Sequence, residues 1–457
     1  MNKLAILSEP WSHIQKHMTR DFPDESGGFL LARAVETESG VRLVVDEIID
    51  PSEGDERWRL QNQQQLAPSG EYMSKTAARA DNTGRIPVFI HNHPSGTLKT
   101  FSYADDWAHE AWAPFFEEVG ENGFISILVA GDGDNIEAAI ADVWSEGEQY
   151  EVDTVTIAGE QFHRSVRSVV DSDFHPSNPQ MDRQERMWSE YGQALLENSR
   201  VAIVGLGGTG SAAAVQCARA GVGELLLVDY DDAEESNLNR LYGLTPSQAE
   251  SGASKTDVVA RHLQSISGVD IETIDTEITD YRILPTLLDA DVILGCTDSE
   301  QSRAYLNKQA LLYGIPYVDV GCGPEANEGE VLSLWAEVRR VLSGGPCLFC
   351  MDAVNPQAVG GEGLPEEARE DAQRDDYLPD DVIEASLVTM TTTAASMGVT
   401  QAFALLVSQP IYWDPQHAID IWSGLNHIEV KETQAGCVCQ SDQWVPYRAS
   451  LADCNLS

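Results

Sequence analysis

The stretch VAIVGLGGTGS, running from Val201 to Ser211, restricts the fold more than any other in the chain. A short aliphatic run passes directly into Gly-x-Gly-x-x-Gly, formed by Gly205, Gly207 and Gly210, with Gly208 inside it. Glycines permit the tight turn and let backbone N–H groups approach a phosphate at the N-terminus of the following helix. The surrounding sequence keeps alternating strand and helix. RQERMWSEYGQALLEN reads as a helix before the glycine turn; GELLLVDY, a helix near 254–266 and DADVILGCT follow it. Such alternation predicts a doubly wound, parallel α/β sheet from about residue 181.

The glycine turn by itself suits NAD, FAD or ATP. The residues after it narrow the choice. Asp229 closes the second strand, where a carboxylate accepts ribose hydroxyls. VDYDDAEESNLNR then supplies Asp231, Asn237 and Arg240, GASK supplies Lys255, and LGCTDSEQSR puts Asp298 at a third strand end. Hydride transfer leaves a dinucleotide's pyrophosphate intact and does not need these cations. Cleaving ATP does: Arg and Lys offset the triphosphate charge and an acid holds Mg²⁺. A dehydrogenase is therefore disfavoured. Over 181–430 the chain strongly resembles the ThiF/MoeB/E1 superfamily of ubiquitin-like-protein activating enzymes, through MDRQERMWSEYGQALLENSRVAIVGLGGTGS, SNLNR and CTDS. The resemblance implies a Rossmann-like adenylation domain that attaches AMP to a C-terminal glycine carboxylate and releases pyrophosphate. It implies nucleotide contacts by Gly205, Gly207, Gly208, Gly210, Asp229, Asp231, Asn237, Arg240 and Lys255, with Mg²⁺ on Asp298. Arg183 matches an arginine finger that reaches the other protomer, which implies a homodimer.

Residues 1–155 have a different texture. GGFLLARA, VRLVVDEII, IPVFIHNH and FISILVAG are β-like, and helical stretches lie near 11–20 and 103–119, which predicts an α+β domain. HNHPSGTLKTFSYADD ends one of those strands. His91 and His93, two apart on a strand, face the same way. Two imidazoles, a carboxylate and a water make a catalytic zinc site, and Asp105 can be the carboxylate. Glu25, in DESGGFLL, is a candidate base. The set resembles the JAMM motif of JAB/MPN metallopeptidases, which cut after the C-terminal glycine of ubiquitin-like proteins. The resemblance implies that His91, His93 and Asp105 bind zinc, that Glu25 is the general base and that Ser102 stabilises the oxyanion. The gap from Ser95 to Phe101 is one residue longer than in the family, so Asp106 competes with Asp105 as ligand.

Eight cysteines are present, and Cys347/Cys350 and Cys437/Cys439 form close pairs. Close spacing in a cytoplasmic chain suggests metal rather than disulfide. The four resemble the structural zinc site of the activating-enzyme family, with the second pair one residue shorter. No cysteine falls in 352–436, where relatives carry an acyl-accepting thiolate. Cys217, Cys296, Cys322 and Cys454 are read as structural, Cys322 being the nearest to an internal acceptor, so adenylation without an enzyme thioester is expected.

The remaining features bound the setting. A net charge of −45, from 74 acidic and 29 basic residues, excludes sequence-independent nucleic-acid binding, which needs basic surface. The acidic, lysine-poor composition suits a salt-rich cytoplasm, and genome composition produces the same bias. No apolar run reaches the length of a membrane span, and MNKLAILSEPW has too short an apolar run for a signal peptide; a cytoplasmic location is expected. The expected plan is a JAB/MPN domain at 1–155, a linker at 156–180, an adenylation domain at 181–440 and a tail at 441–457. The acidic, Gly/Pro-rich stretch 352–381 is expected as a mobile loop, and SLVTMTTTAASMGVTQAFALLV as a buried helix. One half would expose the glycine carboxylate that the other half consumes. The implied partners are a ubiquitin-like or sulfur-carrier β-grasp protein and an E2-like or sulfur-donor protein. The alternative is an activating enzyme whose N-terminal domain only binds the tail.

Overall fold

The computed structural model describes the 457-residue chain apart from residues 97, 121–122, 160–161, 173–177, 328, 363–384, 410–413, 430 and 441–457. The expected tail, Cys454 and most of the expected acidic loop fall outside the described residues. The chain divides into two units at residues 176/177. Among the described residues no helix is long and apolar enough to cross a membrane.

In chain order the first unit contains β1 (Lys3–Ile6), α1 (Ser8–Asp21), β2 (Gly27–Glu36), β3 (Val41–Ile49), β4 (Trp58–Gln61), β5 (Leu66–Pro68), α2 (Gly70–Thr83), β6 (Ile86–His93), α3 (Tyr103–Gly120), β7 (Phe124–Gly131), β8 (Ile136–Ser145), β9 (Glu148–Glu151), β10 (Thr154–Ile157), β11 (His163–Val166) and α4 (Arg167–Val170). Nine strands form one mixed sheet in the order β11-β10-β1-β3-β2-β6-β7-β8-β9, and β4 pairs with β5 apart from it. Both faces are covered, so the central strands β6 and β7 are buried throughout and β2 is buried up to its last residue. Val88 and Ile90 of β6 join one core with Trp11, Ile14 and Met18 of α1. Phe89 joins the other, with Tyr72 and Ala77 of α2 and Phe116 of α3. The period of two therefore puts His91 on the α2/α3 face and Asn92 on the α1 face.

The expected linker at 156–180 is corrected over its first part. β10 pairs in parallel with β1, Lys3 opposite Thr154, and β11 returns antiparallel along β10. The first unit thus continues past residue 155 through α4. A four-residue strand whose partner lies at the other end of the unit leaves little local signal.

The second unit contains α5 (Asp182–Glu197), β12 (Arg200–Val204), α6 (Gly208–Ala220), β13 (Glu224–Val228), α7 (Pro246–Ser251), α8 (Lys255–Ile266), β14 (Asp270–Ile274), α9 (Leu284–Leu287), β15 (Val292–Gly295), α10 (Glu300–Tyr313), β16 (Tyr317–Asn327), β17 (Glu330–Val341), α11 (Pro356–Glu362), α12 (Val388–Leu406), β18 (Gln416–Asp420) and β19 (Leu425–Glu429). Its eight-stranded sheet has the order β14-β13-β12-β15-β16-β17-β18-β19. The first five strands are parallel, as the alternation predicts. The last three are antiparallel, so the sheet is mixed rather than wholly parallel. The chain leaves β12 outward to β13 and β14, then returns to the other side as β15. That reversal makes a crevice at the carboxyl ends of β12 and β15, the usual ligand position in such sheets. α12, rich in small residues, packs on α6 and β16. It approaches so closely that a Cβ at Gly398 would lie 2.4 Å from Val320 Cγ2.

Candidate functional site

The glycine turn sits at that crevice. Gly205 has φ +86°, and a Cβ there would lie 2.7 Å from the Cys296 carbonyl oxygen at the end of β15's extension. A Cβ at Gly210 would lie 1.8 Å from the Gly205 carbonyl oxygen. Glycine is therefore required at both positions for the turn to close and for α6 to begin. Gly207 is the residue before α6, and Gly208 lies against the Arg240 side chain.

Asp229 has a larger part than a ribose contact. It is buried, and its carboxylate accepts the Leu206 N–H at 2.5 Å and the Asp231 N–H at 2.8 Å. It thus ties the glycine turn to the end of β13. Burial raises its pKa, against lowering by Lys255 and by those two N–H groups. The other residues expected at the nucleotide have protein partners. Lys255 Nζ donates to Asp231 Oδ2 at 2.6 Å. Arg240 Nη1 donates to the Ser236 carbonyl at 2.7 Å and to Asn239 Oδ1 at 3.0 Å. The Asn237 side chain accepts the Glu234 N–H at 3.0 Å and so holds the loop after β13. Asp298 follows β15, close enough to Tyr230 to raise its pKa together with Asp231, although burial is the larger cause. Arg183 is exposed in the first turn of α5.

In the first unit, β2 runs antiparallel to β6 with Gly27 opposite His91. A Cβ at Gly27 would lie 1.9 Å from the Ile90 carbonyl oxygen, so glycine lets the chain carrying Glu25 come close to the histidine strand. Asn92, which the sequence reading did not single out, fixes this junction. It accepts the Ser26 N–H at 2.8 Å and donates to the Gly131 carbonyl at 2.8 Å. Its period-two placement between two candidate ligands was the available signal.

His91, His93 and Asp105 come together. His91 Nε2 lies 3.3 Å from Asp105 Oδ1, and His93 Nε2 lies 3.3 Å from Asp105 Oδ2. A tetrahedral ion with bonds of about 2.0–2.1 Å needs ligand separations of about 3.3 Å. His91 Nε2, buried, faces only the Asp105 carboxylate, a position from which its lone pair can meet a cation, and its Nδ1 is buried without a hydrogen-bond partner. His91, His93 and Ser102 hold Asp105 well below the usual carboxylate range in spite of burial. Burial raises Glu25, against the opposing influence of His91 and His93. Asp106 does not belong to the cluster. Ser102 and Asp105 bond reciprocally at the start of α3: the Ser102 N–H donates to Asp105 Oδ2 at 2.7 Å, and Ser102 Oγ accepts the Asp105 N–H at 3.2 Å. Ser102 therefore orients the carboxylate; its hydroxyl proton is not used in these bonds. His109 was also missed. It lies one helical turn beyond Asp105, is buried against Phe89, Phe101 and His91, and burial holds it neutral with a pKa of about 3.

The four paired cysteines also converge. Sulfur separations are 3.7 Å for Cys347–Cys350, 3.5 Å for Cys347–Cys437 and 3.6 Å for Cys350–Cys439. Zinc–sulfur bonds of about 2.3 Å imply separations of about 3.8 Å, so the quartet fits a tetrahedral ion. Elsewhere, Cys217 is fully buried and pushed up to about 12 by burial, and burial also raises Cys296. Cys322 lies 3.8 Å from Thr209 Oγ1 in the glycine turn.

A family model for the ThiF family matches residues 181–439. Ubiquitin-like modifier-activating enzyme 5 of Drosophila mojavensis is 31% identical over 244 residues, which cover 50% of this chain and 59% of the relative. The enzyme of that name from Oryza sativa subsp. japonica is 30% identical over 183 residues, 37% of this chain and 43% of the relative. A crystal structure of E. coli MccB with ATP aligns at a TM-score of 0.46 and 20% identity, covering 57% of this chain and 74% of that one. The chain spans about 59% of the length of the first curated relative it matches. With more than half of its residues matched, from α5 through the second cysteine pair, the chain belongs to the ThiF family.

Proposed function

We propose that the chain adenylates the C-terminal glycine of a ubiquitin-like or sulfur-carrier protein and that its N-terminal unit, a JAB/MPN metallopeptidase, cleaves after the same glycine. The observation that carries the first activity is the closed glycine turn at the sheet's switch point in a ThiF-family unit, with Asp229, Arg240, Lys255 and Asp298 around it. The relatives named ubiquitin-like modifier-activating enzyme 5 support the substrate class.

In the adenylation step, a glycine carboxylate oxygen attacks the α-phosphorus of ATP. The new bond gives the acyl adenylate, and the bond to the departing pyrophosphate breaks. The N–H groups at the start of α6 and the side chains of Arg240 and Lys255 offset charge on the phosphates. Lys255 must exchange Asp231 for phosphate to do so. Asp298 would hold Mg²⁺, Asp229 would take the ribose, and Arg183 would act across a homodimer. The buried Cys217 and Cys296 are poor nucleophiles at neutral pH; the acyl group passes from the adenylate to a sulfur donor or an E2-like partner's thiol, and AMP leaves.

Cleavage rests on the His91/His93/Asp105 triangle, with both imidazole Nε2 atoms turned to the Asp105 carboxylate. Those three residues would hold zinc, which supplies Lewis-acid polarisation of the scissile carbonyl. Glu25 takes the proton of the attacking water and returns it to the leaving amine. Ser102 keeps Asp105 oriented and has a hydroxyl proton available for the oxyanion. Cys347, Cys350, Cys437 and Cys439 would hold a second, structural zinc. The test is cleavage of a ubiquitin-like protein extended beyond its terminal glycine. Glu25→Gln is expected to abolish cleavage while zinc stays bound. Cleavage at the wild-type rate in Glu25→Gln would remove Glu25 as base, and no cleavage by the zinc-loaded wild type would leave the N-terminal unit as a tail-binding module.

A further inference from the structure

His13 and His17 sit one turn apart on α1, on its flank beside Asp50, the residue after β3. His13 Nε2 lies 3.0 Å from Asp50 Oδ1 and 3.3 Å from His17 Nε2. A proton on His13 Nε2 can serve Asp50, and the His17 lone pair then points at an N–H already committed. A proton on His17 Nε2 can serve His13, and a bare His13 nitrogen then faces a carboxylate oxygen. Two imidazole nitrogens and a carboxylate oxygen thus converge, all within 4.8 Å of one another. A tetrahedral ion with bonds of about 2.0–2.1 Å to nitrogen and oxygen needs ligand separations of about 3.3 Å, which the two separations from His13 Nε2 match.

We infer that His13, His17 and Asp50 form a further divalent transition-metal site, of the zinc class, with one coordination position open. The donor set of two imidazoles and one carboxylate suits zinc over calcium or magnesium, which prefer oxygen. Such an ion fastens α1 to the end of β3, in the helix that precedes Glu25. Arg57 Nη2 lies 2.5 Å from Asp50 Oδ1 and withdraws part of the carboxylate's charge, which makes this a weaker site than an all-anionic one. The inference does not depend on the peptidase reading, because none of its ligands belongs to that cluster.

The test is zinc per full-length, untagged chain by mass spectrometry after equilibrium dialysis against buffered zinc. His13→Asn/His17→Asn is expected to bind one zinc fewer than its parent, in the wild type and equally in a His91→Ala/His93→Ala background. Equal zinc with and without the substitutions in that background would overturn the site. A deficit seen only in the wild-type background would also overturn it, since the lost ion would then belong to the His91 cluster. Asp50→Asn keeps the side-chain shape and guards against misfolding; it is expected to weaken the last zinc by at least about tenfold, and unchanged affinity would remove Asp50 as a ligand.

Discussion

Replacing Asp229 with asparagine separates holding the glycine turn from contacting the ribose. The carboxylate accepts two backbone N–H groups, from Leu206 and Asp231. Hydrogen bonds to a charged group contribute about 1.5–3 kcal/mol each, neutral ones about 1, and an orphaned buried donor costs about 1–3 kcal/mol. Asparagine keeps one acceptor oxygen and turns an amide N–H₂ toward the other donor. The local loss is therefore about 2–4 kcal/mol. Part of this is offset in overall stability, because burial already raises the Asp229 pKa and asparagine carries no charge to desolvate. The net loss of fold stability is thus expected near about 1–2 kcal/mol, or a fall in melting temperature of about 2–8 °C for a domain of this size. The turn itself has no such offset, and a penalty of about 2–4 kcal/mol on its closed form weakens nucleotide binding about 30- to 1000-fold. Calorimetric titration of Mg-ATP and of the 2′,3′-dideoxy nucleotide reads the two roles. The dideoxy nucleotide has no ribose hydroxyls to lose, so its weakening reports the turn alone. Unchanged dideoxy-nucleotide affinity in a folded Asp229→Asn chain would refute Asp229 as the turn's anchor.

Gly210→Ala places a Cβ 1.8 Å from the Gly205 carbonyl oxygen; ATP–pyrophosphate exchange is expected to disappear while cleavage by the first unit persists. Asp319 is buried between Arg303, at 2.8 and 3.0 Å, and Arg339, at 3.2 Å. Burial pushes its carboxyl up, but Arg303, Arg339 and Tyr317 outweigh it and the net pKa is lowered. A depressed folded-state pKa stabilises the fold above the unfolded value of about 3.9 and loses that contribution as pH falls below it. Asp319→Asn is therefore expected to cost about 3–5 kcal/mol at pH 7 and less at pH 3 in urea titrations. An equal difference at both pH values would contradict the ion-pair assignment.

The glycine turn was legible because its chemistry is local: strand, turn, helix and cap fall within about twenty residues of one another. The cysteine quartet was legible through spacing, and His91/His93 through the period of a strand. What escaped the sequence was non-local. β10 needs β1 as its partner, across most of the first unit, and so its region read as linker. β17, which pairs antiparallel with β16, turned an expected parallel sheet into a mixed one. The ion pair between Asp231 and Lys255 joins the end of β13 to the start of α8, a contact between residues that the family resemblance places at the nucleotide and that no local pattern pairs. His13 and His17 look like surface residues of an amphipathic helix until Asp50, supplied by another element, closes the triangle.

The proposed sequence of cleavage followed by activation can be read in one assay of ATP–pyrophosphate exchange. The probes are a glycine-tailed ubiquitin-like protein with a free terminus and the same protein extended past the glycine. The wild-type chain is expected to exchange with both, and the Glu25→Gln chain with the free-tailed probe only. Exchange by Glu25→Gln on the extended probe, or no exchange by the wild type on the free-tailed one, would contradict the coupling of the two units through one glycine carboxylate.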